Sequence, residues 1–463
     1  MLIRFKVSNF LSFDQEQELS MIAGATKKKE SHIINEDNLK LLKFSAIYGA
    51  NASGKSNLLK AINFSKNIIL GGIKFNNSNF YCRIKDENKN KVSSFDFEIK
   101  IHNKFYSYGF DILLSQNSIK AEWLYELDKD KNKETLIFNR KLNENININK
   151  EYFDNNEDIL SRLNVYYSDM KEQDTILFLT IMNRNKDTLY KENINNNVII
   201  LKNIYNWFMN SLIIIFPQNG LDNTMFFTSQ ENMEKINKII SKFGTGISEC
   251  KFVNSSMQEL QASIPPNILK NMIDTIEGAY LNAEKNNIKP DQQATIRVNR
   301  EMYIIKKTAN GYSVKKIVLK HKNNDSEYSF SEESDGTQRL FDLIEILVNK
   351  KSERVYFIDE LDRCFHPELT YEFIARYLNL QDNNSQLIVT THESRLLNFD
   401  LLRRDEIWFA NREKNAPTEL YSLERYNERF DKKIDKAYLE GRYGGVPIFE
   451  TLFPVGGEDN ERT

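Results

Sequence analysis

Cysteine is scarce in this sequence: Cys82, Cys250 and Cys364 are the only three in 463 residues, and no two form a CxxC pair. That spacing excludes a zinc knuckle and a disulfide framework, so each is expected to be a plain buried or half-buried thiol. Net charge is sparse as well. Lys and Arg (63) balance Asp and Glu (65) to a formal −2, which gives no global pull on nucleic acid; any such binding would need a local basic stripe. No apolar run approaches the roughly 18 residues of a membrane span. The opening MLIRFKVSNFLSF has neither the apolar core nor the cleavage site of a signal peptide, so a cytoplasmic protein with no membrane partner is expected. With 40% hydrophobic and 28% charged residues, the chain has a folded protein's composition and length enough for roughly two to four domains, or one with a large insertion.

What is present is ordered along the chain. IRFKVSNFLSF alternates as a strand with ELSMIA (18–23) as its partner, and LKFSAIYG (42–49) is a buried strand feeding a turn at Gly49. From Lys55 the period changes, with Leu58, Leu59 and Ile62 at helical spacing. Residues 92–127 hold two aromatic-rich alternating runs split at His102, Asn103 and Lys104, then IKAEWLYEL, the pattern of a half-buried antiparallel meander. Asn-rich stretches at 139–160 and 193–200 read as loops and helix starts. Amphipathic helical segments fill 170–290 without the sustained heptads of a long coiled coil. EMYIIKKTANGYSVKKIVLKH (301–321) reads as a hairpin centred on Asn310-Gly311. GTQRLFDLIEILVNK as a helix, RVYFID as a strand, PELTYEFIARYLNL as a helix with Pro367 at its start and SQLIVTTH as a strand then return the chain to α/β. Alternation on both sides of a long insertion predicts one parallel-sheet domain made from two distant pieces. The expected division is a lobe with the phosphate loop and meander at 1–140, a mostly helical arm at 141–300, and a second lobe at 301–463.

IYGANASGKSNLLKAI (47–62) carries the chemistry. Gly49, Gly54, Lys55 and Ser56 satisfy G-x-x-x-x-G-K-[ST] between a predicted strand and a predicted helix, the context this motif requires. Glycine permits torsions that turn successive N–H groups inward, and these with the positive helix end solvate phosphate oxygens. Lys55 would reach the β and γ phosphates and the Ser56 hydroxyl would coordinate Mg²⁺; Asn51 in the loop and Asn57 in the first turn complete the nucleotide-contacting set. VYFIDE places Asp359 and Glu360 at the C-terminal edge of a buried strand, where ligands bind in open α/β sheets. An acidic pair there is often only a solvated turn. Beside a phosphate loop, Asp359 should hold Mg²⁺ directly or through a shared water, and Glu360 should orient or deprotonate the attacking water.

SFSEESDGTQRLFDLI places Ser334 and Gly336 ahead of an amphipathic helix, a second anion-receptive helix start that makes most sense facing the nucleotide of another copy; the plain alternative is a serine helix cap. LIVTTHES ends a buried strand on Thr391 and His392. A lone histidine is usually structural, but 33 residues after Asp359, on the next predicted strand, this one falls beside the γ phosphate, where it can hydrogen-bond transferred oxygen or the attacking water.

Phosphate loop, degenerate signature, four apolar residues before Asp359-Glu360, Leu361-Asp362 after them and a strand-end histidine together resemble the ATP-binding-cassette head, in its chromosome-maintenance and OLD-like branch. NFLSF, YSYGFDI, EWLYE, SEESDGTQRL, DELDRCFHPEL and YLEGRYGGVPIF are more closely similar to the RloA and AbiL-type ATP-binding proteins of bacterial antiphage systems. The likeness spans nearly the whole chain and is weakest at 140–290. It implies an α/β fold: an ABC-type P-loop ATPase head, mixed sheet plus antiparallel β lobe, with a mostly helical insertion. It further implies a homodimer or higher even-numbered assembly sandwiching ATP and Mg²⁺, in which Ser334 and Gly336 complete the partner's site and Asp362 lies across the seam. The signature departs from Leu-Ser-Gly-Gly-Gln, with Asp335 and Thr337 in place of a glycine and the polar residue, and an acid beside phosphate is unfavourable unless it points away. Gln218 and Gln230 are both candidates for the glutamine that senses Mg²⁺.

OLD-like nucleases carry a large C-terminal metal-dependent nuclease domain. Only 71 residues follow His392, without a spaced Glu and Asp-x-Asp set, so this chain is not expected to cut nucleic acid. A separate effector, a nuclease in related two-gene systems, is the implied partner, with a phage component as trigger. The expected function is thus a nucleotide-gated regulator in antiphage defence. The alternative is a DNA-repair or recombination ATPase of the RecF or chromosome-organising type, which needs a contiguous basic face; a transporter motor would leave the helical insertion and the terminal GRYGGVPIF without a purpose.

Overall fold

A computed structural model describes residues 1–445 apart from 27, 37–38, 75, 129–132, 194–195, 219–226, 228, 286–292, 299, 309–310, 323–325, 349–352, 382 and 427–433. The chain forms two compact units, one of residues 1–214, 353–361 and 384–463, the other of 215–352 and 362–383.

In the first unit the opening strand Leu2–Ser8 pairs antiparallel with Gln17–Ser20 and with Ser93–Ile101, and the meander continues through Lys104–Leu113, Ser118–Asp128, Lys133–Lys141 and Asn147–Ile148 to make seven strands. Alternation explains it: Phe95, Phe97 and Ile99 are buried while Ser94, Asp96 and Glu98 between them are half-exposed. Phe10 lies 5.2 Å from Phe64 and 5.3 Å from Phe95, which ties this sheet to the helix Lys55–Gly71.

The second sheet of this unit has the order Leu212–Ile215, Val355–Ile358, Gln386–Thr390, Phe44–Tyr48, Ile407–Asn411, Glu419–Ser422. Its four central strands run parallel, and Glu419–Ser422 closes one edge antiparallel. Every residue of Val355–Ile358, Gln386–Thr390 and Phe44–Tyr48 is buried, as strands covered on both faces require. A mainly parallel sheet built from two distant stretches and accompanied by an antiparallel lobe is the α/β, ABC-type arrangement that the motifs pointed to.

The second unit holds a separate antiparallel sheet, Ile247–Ser255, Gly311–His321, Glu301–Thr308 and Gln293–Val298, with Glu327–Ser329 added to Gly311–His321. Leu260, Ile264, Leu269 and Ile276, from the helices Met257–Ser263 and Pro266–Lys285 and the link between them, form one core with Tyr303, Ile305 and Val314 of that sheet. The hairpin register pairs Thr308 with Gly311. Of the expected centre Asn310-Gly311, Asn310 lies outside the described residues. Residues 141–300, expected to be mostly helical, also contribute the strands Leu212–Ile215, Ile247–Ser255 and Gln293–Val298. LIII is apolar throughout, so its periodicity cannot separate strand from buried helix.

Candidate nucleotide site

The phosphate loop leaves the sheet at Tyr48 and enters the helix Lys55–Gly71 through Gly54, which stands at φ 109°. A side chain at Gly54 would collide with the Thr418 hydroxyl. The Thr418 hydroxyl donates to the Ser53 carbonyl at 2.7 Å and accepts from the Ser12 hydroxyl at 2.8 Å, and Ser12 itself accepts from Asn57 at 2.9 Å. The loop is thus pinned by residues from both ends of the sequence. Lys55 is buried, and its ammonium donates to the carbonyls of Gly49 at 2.6 Å and Ala50 at 3.1 Å, which seats the cation inside the loop. Asn51 is exposed at the crest.

Parallel register brings the remaining pieces to one edge. Ile358 pairs with Val389 and Thr390 with Ile47, so Asp359, Thr390 and the loop follow one another across adjacent strand ends. The Ser56 hydroxyl donates to Asp359 Oδ1 at 3.1 Å, so the two residues expected to hold the metal are in contact. Glu360 is half-buried at φ 49°, a conformation that costs a side-chain-bearing residue on the order of 1–2 kcal/mol. His392 is exposed two residues past Thr390, at the same edge.

Thr390 was not among the residues the motifs singled out. Its hydroxyl donates to Asp359 Oδ1 at 2.6 Å and accepts from the Glu360 N–H at 2.8 Å, while its carbonyl accepts from the Leu361 N–H at 3.0 Å. One threonine therefore holds three consecutive residues, including the strained one. Its signal was a hydroxyl closing the otherwise apolar run LIV on the strand next to the acidic pair, whereas its neighbour Thr391 accepts from the Glu393 N–H at 3.0 Å and serves the following turn. Thr390→Val keeps the shape and removes both hydroxyl bonds, leaving buried polar groups unpaired at about 1–3 kcal/mol. Turnover is expected to fall about ten- to a hundredfold with nucleotide affinity nearly unchanged, read by steady-state hydrolysis alongside binding of a non-hydrolysable analogue.

Among the described residues no cluster of three or more His, Cys, Asp or Glu side chains could hold a metal ion. One carboxylate and one hydroxyl, with phosphate and water filling the other positions, is the donor set Mg²⁺ takes beside a nucleotide, so Ser56 and Asp359 fit that ion. A cavity of about 310 Å³ opens beside Asn57, lined also by Ser12, Tyr81, Arg83 and Arg412.

Ser334, Gly336 and Asp362 belong to the second unit. The Ser334 hydroxyl accepts from the Thr337 N–H at 3.2 Å, so it caps the helix Asp335–Val348 while the residue stays exposed. A methyl at Gly336 would lie 2.7 Å from the Cys364 carbonyl. Asp335 is paired with Arg300 at 2.8 Å, so the acid in the signature has its own cation. Ser334, Gly336, Thr337, Cys364, His366 and Lys242 are among the residues around a cavity of about 720 Å³ in this unit. Asp362 is half-buried, and its carbonyl accepts from the Phe365 N–H.

Residues 44–198 and 266–398, more than half of the chain, match a family described as "AAA domain, putative AbiEii toxin, Type IV TA system". The chain belongs to this AAA-domain family. The AbiEii-type AAA match contains every motif of the site described above, from Gly49 to His392. Among solved structures the chain is similar to an Smc head bound to the C-terminal winged-helix domain of ScpA, at 12% identity over 91% of this chain and 97% of that one, TM-score 0.41. It is also similar to the Smc head with an extended coiled coil bound to the ScpA C-terminal domain, derived from Pyrococcus furiosus (13%, 95% and 99%, TM-score 0.36), and to the SMC head domain of Thermotoga maritima (10%, 91% and 98%, TM-score 0.34). No curated protein matches the chain. Among the described residues no helix is long and apolar enough to cross a membrane.

Proposed function

We propose that this AAA-domain protein binds ATP with Mg²⁺, hydrolyses it between two copies of the chain, and uses the closed and open states to hold or release a separate effector protein, a nuclease, in cytoplasmic antiphage defence. The observation that carries the reading is the Ser56–Asp359–Thr390–Glu360 chain of hydrogen bonds beside the phosphate loop. It supports the reading because the Ser56 hydroxyl and the Asp359 carboxylate, the donors proposed for the metal, lie beside Glu360 in its strained backbone, and strain of this kind persists where surrounding contacts enforce it. Mg²⁺ would neutralise charge developing on the transferred phosphoryl group. Glu360 would orient or deprotonate water, Lys55 would meet the β and γ phosphates, His392 would face the γ phosphate, and the cavity of Tyr81, Arg83 and Arg412 would take the nucleoside end. Ser334 and Gly336 would complete the partner's site, with Asp362 at the seam.

The rival reading, a DNA-repair ATPase, needs unpaired cations on one face. In the second unit's sheet Lys307 and Lys316, two of the five lysines of the hairpin 301–321, pair with Glu277 and Glu259, and Lys251 of the neighbouring strand pairs with Glu327, which lowers the charge this face offers. Effector control in turn requires that the partner bind the ATP-closed and open states unequally. The test is hydrolysis measured with and without linear duplex DNA at two salt concentrations, together with co-purification of the neighbouring gene product with and without ATP. Less than a twofold effect of DNA, intact DNA and RNA in Mg²⁺ or Mn²⁺, and nucleotide-dependent co-purification are expected. Strong, salt-sensitive stimulation by DNA without a protein partner would transfer the site to repair.

A further inference from the structure

The glycine-rich segment EGRYGG (440–445) has no part in the site as described, yet its backbone lies against the phosphate loop. The strand Ile407–Asn411 runs parallel to the loop's strand, with Phe409 paired to Tyr48. Phe409 stacks on Tyr438 at 5.7 Å and on Tyr443 at 5.5 Å, and Tyr438 also meets the Tyr48 ring edge-on at 5.8 Å. These rings deliver the turn 441–445 to the loop. There Gly445 donates to Asn411 Oδ1 at 3.0 Å and accepts from the Tyr438 hydroxyl at 3.0 Å, while the Tyr421 hydroxyl donates to the Tyr443 carbonyl at 2.5 Å.

Gly444 and Gly445 stand at φ 67° and 66°. A methyl on Gly445 would lie 3.1 Å from the Gly49 Cα, a backbone atom that cannot swing aside as a side chain can. A methyl on Gly441, at φ 79° in the same turn, would meet nothing within 4 Å. The left-handed torsion is thus common to both positions, and closeness to the phosphate loop belongs to Gly445.

We propose that Gly445 is a positioning residue of the phosphate loop: clamped by Asn411 and Tyr438, it backs Gly49 and holds the loop in the shape that receives phosphate. The proposal rests on the reading of this loop as the nucleotide site. Because coupling between two sites is reciprocal, nucleotide on the loop must stabilise the turn by as much as the turn stabilises nucleotide binding.

The full-length protein and its Gly445→Ala, Gly441→Ala, Tyr438→Phe and Lys55→Ala variants are compared by titration with a fluorescent non-hydrolysable ATP analogue in Mg²⁺, and by kcat and KM. Gly445→Ala is expected to weaken binding at least about tenfold and raise KM in step, with kcat at saturation within about twofold; Gly441→Ala is expected to bind within about twofold of the parent. Should Gly445→Ala fail to fold, Tyr438→Phe, which deletes the hydroxyl that donates to the Gly445 carbonyl and also meets the Gly49 backbone, is expected to weaken binding about threefold. Equal effects of Gly441→Ala and Gly445→Ala, or unchanged affinity in both Gly445→Ala and Tyr438→Phe, overturn the positioning role. Absence of binding by the parent chain, or unaltered binding by Lys55→Ala, instead removes the nucleotide site itself, and this proposal with it.

Discussion

Glu360→Gln is expected to leave ATP bound and to slow hydrolysis by two orders of magnitude or more, the usual loss when a positioned base is removed. The amide keeps the size of the carboxylate and the backbone hydrogen bond from Glu360 to Thr390. The φ of 49° and the Ser56–Asp359 contact should therefore survive. On the proposed reading, what disappears is proton acceptance where Glu360 would activate water. The measurement is single-turnover hydrolysis beside analogue affinity, and a rate within about threefold of the parent would take Glu360 out of the chemistry. Thr390→Val offers a useful contrast, because it loosens the same carboxylate without deleting it and is expected to cost less.

Ser334→Arg is expected to reduce turnover at least about a hundredfold, as loss of a donor to developing charge commonly does, while ATP binding to a single chain stays intact. Ser334 is exposed and the phosphate loop belongs to the other unit. On the proposed shared-site reading, a bulky side chain at 334 acts where a second chain's phosphates arrive. The substitution also removes a helix cap, worth about 1 kcal/mol. Ser334→Asp separates the two effects, since aspartate caps as well as serine and sets a carboxylate against phosphate. Turnover should be lost in both variants, with melting temperature lowered chiefly in Ser334→Arg. Normal hydrolysis by either variant would return Ser334 to the role of a simple cap.

The site was legible in the sequence where chemistry demands fixed spacing within one segment. Gly49, Gly54, Lys55 and Ser56 form such a segment, and so do Asp359 and Glu360 after four apolar residues, because a buried parallel strand must be apolar and must end where its ligands bind. Contacts between distant segments were not legible. Thr390 meets Asp359 only through the parallel register of two strands, and Thr418 and Ser12 reach the loop from opposite ends of the chain. No local pattern encodes such pairings. Irregular alternation hid the strand Ile247–Ser255, where the exposed Ser248 and Glu249 stand next to each other at a register shift. The acid in the signature looked unfavourable beside phosphate until Arg300, 35 residues earlier, supplied its counter-ion.

That two chains share each ATP is tested most directly by the mass in solution of Glu360→Gln with Mg²⁺ and ATP, measured by sedimentation beside the double variant Glu360→Gln/Ser334→Arg. A single chain weighs 54.4 kDa. Twice that mass, or a higher even multiple, is expected for Glu360→Gln only when ATP is present, with the double variant remaining at the mass of one chain. A single-chain mass for Glu360→Gln with ATP bound, or an assembly indifferent to the Ser334 substitution, would contradict the shared site.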